Sequence, residues 1–250
     1  MLKKIIVVDY IEGAGGEYFA QFLSDHMNTA QHRWLQKYFN SQSLVTKNWD
    51  QDFEHHLNKF LELCNEQNVN EIAVPYHLYK WPHQFDLFNR IAHTVRAVKI
   101  DSTQYNREVA LDFLRKIYLC PFDNTQISQL AYLANSATDK VKQELNEQLR
   151  SSGLQWIDVI ITLDNTLTKR QLVDQVLRHT TMLSTQDVKI DYGVFYVNRA
   201  GIEDKYNLLC KQLDITSNLE LLEELIKRNK ENWATLTQFI REFPEIYKQL

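Results

Sequence analysis

Three of the six glycines in this 250-residue chain, Gly13, Gly15 and Gly16, fall within four positions, directly behind the apolar run Ile5-Ile6-Val7-Val8. An uninterrupted apolar run of this kind is typical of a parallel strand covered on both faces. Behind the glycines, Tyr18, Phe19, Phe22, Leu23 and His26 recur at helical spacing, so the sequence predicts a helix that starts near Glu17. A strand, a glycine-rich turn and a helix in that order bring backbone N–H groups and a helix N-terminus to one place, where a phosphate can be held. The same glycines also suit a tight connection in which positive φ angles let the helix pack closely on the strand.

Composition narrows the classes open to such a chain. With 44% hydrophobic residues it can bury the core of one large domain, and the predicted unit is a single domain over residues 1–250 with a helical insertion around 122–150. The formal net charge of −4 supplies no global basic field, so neither nucleic acid nor an anionic membrane is an expected partner. Cys64, Cys120 and Cys210 are odd in number and widely spaced, which fits buried thiols in a reducing compartment better than a disulfide or zinc framework. The first strand begins at once, leaving no room for a signal peptide, and no apolar run approaches the ~20 residues that cross a bilayer. The expectation is a soluble cytoplasmic protein.

Strands and helices alternate along the chain. Asp52 to Asn65 predicts a helix with Phe53, Leu57, Phe60, Leu61 and Cys64 on one stripe, and Glu71 to Val74 a short strand stopped by Pro75. A compact helix from Phe85 to Ala92 leads to a strand from Val95 to Ile100, then a helix from Asn106 to Tyr118. Further helix is expected from Gln126 to Arg150, strands at Trp156 to Leu163 and Val188 to Ile190, and a helical C-terminal third. There Ser217 and Glu220 match a capping box opening a helix from Leu219 to Asn229. The alternation indicates an α/β fold with a mostly parallel sheet flanked by helices. Ligands of such sheets gather at the carboxyl ends of the strands, here near residues 10–17, 75–82, 101–107 and 164–168.

The glycine segment fails two familiar phosphate patterns. Against G-x-x-x-x-G-K-[ST], Ile11 stands at the first glycine, Glu17 at the lysine and Tyr18 at the hydroxyl; against G-x-G-x-x-G, the third glycine is missing. Gly13-Ala14-Gly15-Gly16-Glu17-Tyr18-Phe19 instead resembles the 5′-phosphosulfate loop of the sulfotransferase family in its central Gly15 and in the pair Tyr18-Phe19. It departs from that loop at the lysine, where Gly13 stands, and at both threonines, where Gly16 and Glu17 stand. Val74-Pro75-Tyr76-His77-Leu78 resembles the family's segment at the end of the next strand, with His77 on the catalytic histidine. Arg96 to Ser102 looks like the strand before the 3′-phosphate site, with Asp101 in place of the arginine and Ser102 or Arg107 as substitutes. Arg199-Ala200-Gly201 vaguely matches the family's Arg-Lys-Gly motif.

The resemblance spans most of the chain as an ordered series of weak matches. It implies a three-layer P-loop, sulfotransferase-like fold with a helical C-terminal region. It further implies sulfuryl transfer from 3′-phosphoadenosine 5′-phosphosulfate to a hydroxyl or amine, without a metal. Backbone from Gly13, Ala14, Gly15, Gly16, Glu17 and Tyr18 would hold the 5′-phosphosulfate, Ser102 and Arg107 the 3′-phosphate, and His77 would be the base, since imidazole titrates near neutrality. Glu17, Gly13 and Asp101 favour a different class, a catalytically degenerate nucleotide-binding or protein-interaction module. A small-molecule kinase is the weakest reading, because the Lys-Ser/Thr pair is missing.

Each of these residues also has a plain structural reading. Glu17 is a favourable partner for a helix dipole, and His77 a hydrogen-bonded residue at a strand end. Adjacent His55 and His56 point to different faces of a helix and make a poor metal pair. Tyr76, Tyr79, Trp81, Phe85 and Phe88 suit an adenine or acceptor pocket, core packing or a partner interface equally. Glu223-Glu224 with Lys227-Arg228 are spaced as a solvated helix face.

Overall fold

The computed structural model describes residues 1–10, 13–27, 33–36, 38, 49–76, 82–109, 111–112, 188–242 and 244–248. They form a four-stranded, all-parallel sheet with helices on both faces and a helical C-terminal region. The strands are β1 (Leu2–Asp9), β2 (Glu71–Tyr76), β3 (Ala92–Asp101) and β4 (Val188–Asp191), in the order β2-β1-β3-β4. The helices are α1 (Gly16–Asp25), α2 (Arg33–Gln36), α3 (Trp49–Glu66), α4 (Ile202–Leu213), α5 (Leu219–Glu242) and α6 (Pro244–Lys248). A 3-10 segment, Pro82–Arg90, joins β2 to β3, and a π turn, Gly193–Asn198, joins β4 to α4. The predicted elements at 126–150 and 156–163, the insertion around 122–150 and Cys120 lie outside the described residues.

The period-two alternation of a strand sorts β1 onto two faces. Ile6 and Val8 join Ala73, Val98, Ile100, Val188 and Ile190 under α1, α4 and α5, packed against Phe19, Leu23, Tyr206, Leu213 and Leu222. Ile5 and Val7 join Ile72 and Val74 on the opposite face, under Phe53, Leu57 and Phe60 of α3 and Phe88 of the 3-10 segment. Ile5 through Val8 are all 0% exposed, which explains why the run carries no polar residue. At the start of the strand the 6%-exposed Lys4 donates to the carbonyls of Leu213 (3.2 Å) and Asp214 (2.6 Å), capping the end of α4.

Several boundaries differ from the sequence expectation. Pro75 does not stop β2, which continues to Tyr76 with Pro75 level with Val8. Ala73, two residues earlier, turns its N–H and C=O away from β1, where both meet Ser24 Oγ of α1 (2.9 and 3.2 Å). Pro75 has the same outward phase, so the donor it lacks is not one the β1 pairing uses. The expected helix from Phe85 to Ala92 is the 3-10 segment. Ile91 N–H closes it on Phe88 O (3.1 Å), and Ala92 is drawn into β3 opposite Leu2. The predicted strand at 188–190 is β4, and the predicted helix from Asn106 is seen at 106–109 and 111–112, its remainder lying outside the described residues.

α5 begins where expected but is not capped by Ser217. Asn218 Oδ1 accepts from the N–H groups of Glu220 (3.0 Å) and Leu221 (3.3 Å), so the cap sits one residue later, and no capping box forms. The helix passes Asn229 and reaches Glu242, because buried Leu236 and Phe239 continue its apolar stripe.

α1 and α4 meet at His26. Its Nδ1 donates to Phe22 O (2.7 Å), and its Nε2 lies 2.7 Å from Tyr206 Oη. Tyr206 Oη is also 2.9 Å from Asn218 O and accepts from Asn218 N–H. Burial lowers the imidazole pKa from its ordinary 6.5, with the Phe22 carbonyl opposing. Burial first, then the Coulomb effect of His55, lowers that of His56.

Ser24→Ala strands a buried N–H and C=O on Ala73 and is expected to cost about 1–3 kcal/mol. Asn218→Ala should cost about 1 kcal/mol through the lost cap, and Ser217→Ala close to nothing, all read by denaturant unfolding. Because the folded state disfavours the imidazolium of His26, the unfolded state binds more protons as pH falls from about 6.5 toward the lower folded value. Stability is therefore complete above that window and lost on acidification through it. His26→Gln should flatten the slope of stability against pH there, leaving the share of His56.

Candidate functional site

Among the described strands, the order sets up a crevice of the kind found at topological switch points. The chain leaves β1 for β2 on one side, whereas β3, on the other side, leads toward β4. The connections thus diverge at the carboxyl ends of β1 and β3, the topological switch point where open parallel sheets bind ligands. In-register pairing sets Asp9 level with Tyr76 and Lys99, and Asp101 level with Asp191. Gly13 to Gly16 lie in sequence between the carboxyl end of β1 and the body of α1.

Gly13 and Gly15 hold φ angles of 90° and 73°, and Gly15 is the N-cap of α1 with no side-chain cap. Ala14 between them is buried. The first intrahelical bond runs from Phe19 N–H to Gly15 O (3.1 Å), which leaves the N–H groups of Gly16, Glu17 and Tyr18 ahead of the helical ladder. Glu17 lies in the first helical turn. The glycines are also packed upon. A Cβ on Gly16 would sit 2.0 Å from the ring of the buried Tyr10, and one on Gly15 would sit 2.9 Å from Tyr196 Cε1.

Tyr196 comes from the π turn, 181 residues away, and its hydroxyl donates to Gly15 O (3.3 Å). Its ring stacks on Tyr192, with centroids 4.5 Å apart and planes 5° from parallel. Burial, reinforced by Tyr192 and opposed by Arg228, raises the Tyr196 phenol pKa far above its ordinary 10.0, so the hydroxyl remains a donor at any physiological pH. Tyr105 and Trp233 extend this aromatic wall, their centroids 6.2 Å apart in an edge contact.

Arg228 of α5 lies with Cζ 3.3 Å from the centroid of Tyr18. The charged stretch around it is therefore not wholly a solvated face. Glu223, Glu224 and Lys227 are exposed, whereas Arg228 is partly buried against the start of α1. Its spacing in α5 resembles that of any surface pair, and only the tertiary packing reveals the contact.

The 3′-phosphate candidates lie at the end of β3. Ser102 is buried, and its carbonyl accepts from Tyr105 N–H (2.8 Å); Arg107 is exposed. Asp101 Oδ1 accepts from Thr103 N–H (3.2 Å) and from the Thr103 hydroxyl. Burial works against its charge, but those two bonds, with Lys99 and Lys189 nearby, hold its carboxyl below the usual range. A carboxylate thus stands beside Ser102. Asp191 Oδ1 accepts from Gly193 N–H (2.7 Å) and shapes the start of the π turn. His77, Tyr79 and Trp81 lie outside the described residues.

Away from the crevice, Tyr76, Phe85 and Phe88 pack as core, with the Tyr76 and Phe88 rings 5.4 Å apart. Cys64 and Cys210 are buried thiols whose pKa values burial pushes up, to about 12 for Cys64. His55 is exposed and His56 buried. Among the described residues no group of three or more His, Cys, Asp or Glu could hold a metal ion, and no helix is long and apolar enough to cross a membrane.

Gly16→Ala drives a methyl into the Tyr10 ring and is expected to cost about 1–3 kcal/mol or more in unfolding free energy. Gly201→Ala, at φ 66° with open space around its Cβ, should cost only the backbone strain of about 1–2 kcal/mol. The chain matches no protein-family model, no curated protein and no solved structure, so what the crevice does is read from its own residues.

Proposed function

We propose that the chain binds a phosphorylated adenine nucleotide at the turn between β1 and α1, with 3′-phosphoadenosine 5′-phosphosulfate as the ligand that the sulfotransferase resemblance suggests. The observation that supports this reading most directly is the left-handed glycine turn opening α1 at the switch point between β1 and β3. Backbone N–H groups at Gly16, Glu17 and Tyr18 precede the helical ladder there, and the α1 dipole favours an anion at that end. In the catalytic form of the proposal, a sulfuryl group passes to a hydroxyl or amine while His77 takes the acceptor proton, and leaving-group charge is met by backbone dipoles. Ser102 and Arg107 are the candidates for the 3′-phosphate.

A second reading is a degenerate module that kept the fold without the reaction. The packing of Tyr10 and Tyr196 against Gly16 and Gly15 favours it, because it gives the glycines a purely internal purpose. Glu17 and the charged Asp101 add repulsion toward phosphate in the same direction.

Calorimetric titration with adenosine 3′,5′-bisphosphate tests the nucleotide reading. Binding is expected, with Glu17→Gln strengthening it about three- to tenfold by removing a nearby like charge. No heat at millimolar nucleotide overturns it. Where binding holds, loss of sulfuryl turnover with retained affinity in His77→Ala supports catalysis, whereas unchanged turnover removes His77 from the reaction.

A further inference from the structure

Arg228 and Asn229 are consecutive residues of α5, and each ends on a different support of the glycine turn. Arg228 covers Tyr18 in the first turn of α1. Asn229, 2% exposed, donates from Nδ2 to the carbonyl of Phe195 in the π turn (3.0 Å). The next residue, Tyr196, is the one whose hydroxyl meets Gly15 O and whose ring fills the space beside Gly15. Phe195 itself packs edge-on against Phe19 of α1, with centroids 5.6 Å apart. A π turn is a wider register than the α turn that would replace it, and the two registers aim a given side chain differently. An anchor on the Phe195 carbonyl therefore also sets the direction of Tyr196.

We propose that α5 governs the conformation of the glycine turn through this pair of contacts, with the π turn Gly193–Asn198 as the two-state element between them. A partner or modification that shifts α5 by part of a turn is then felt at Gly15, and anything that binds at the turn is felt in α5 with the same coupling free energy. The device is independent of what the crevice holds, so it does not depend on the nucleotide reading.

Gly15 O accepts from both Tyr196 Oη and Phe19 N–H, which makes the Phe19 amide a reporter of the turn. Hydrogen exchange measured by NMR on the full chain compares it with Val7 in β1, the internal gauge of global opening. Asn229→Leu and Arg228→Met should each speed exchange at Phe19 by about five- to tenfold, with Val7 unchanged. Tyr196→Phe keeps the stacked ring and loses only the hydroxyl, so it tests the same link with little demand on folding. Exposed Lys230→Ala is the control and should move neither amide. Unchanged Phe19 exchange in Arg228→Met and Tyr196→Phe, or acceleration of Phe19 and Val7 together, overturns the proposal.

Discussion

Parallel pairing of β1 on both sides is the constraint from which the rest of the structure follows. One neighbour is met some seventy residues later and the other about twenty beyond that, with Lys4 level with Glu71 and Leu2 level with Ala92. Such pairing needs crossovers that carry helices to the faces, and those helices leave no face of β1 open to water. The same pairing levels the carboxyl ends of β1, β2 and β3, the end of the sheet at which the chain goes on to Gly13 and α1. The site is thus a by-product of how the first strand is buried.

The glycine turn reconciles two demands that usually compete. Left-handed φ angles and missing Cβ atoms turn the chain from strand to helix within a few residues. The same missing atoms admit Tyr10 and Tyr196, whose rings would otherwise have no place against the start of α1. A glycine cluster can therefore mark aromatic packing as readily as it marks an anion. Here the α1 dipole and the switch-point position speak for the anion, and the rings speak for packing.

Much of this architecture was legible because apolar periodicity is a local signal. β1, β3, β4, α1 and α3 follow from runs and stripes that any neighbour would satisfy. The errors arose where tertiary context decides. Pro75 reads as a strand terminator until β2 is seen to present its prolyl phase away from β1. Ser217 and Glu220 fit a capping box, yet Asn218 is the better acceptor one step along, and sequence spacing alone does not rank two adjacent caps. Of the site, the glycine turn was visible, and Tyr196 and Arg228 were not. They lie about 180 and 210 residues away, on elements whose own patterns describe only their own helices, and no local signal ties a tyrosine or an arginine to a distant carbonyl or ring.

Lys4 carries a consequence for how the chain comes to be assembled. Its ammonium closes on carbonyls 209 and 210 residues downstream, while the strand that bears it lies at the centre of the sheet. A nascent chain emerging N-terminus first therefore exposes its most apolar strand long before the partners that cover it exist. Contacts of such sequence separation close late and slowly. Until the segment ending α4 has left the ribosome, Lys4 lacks the carbonyls it closes on, and the face of β1 under α4 and α5 lacks its cover.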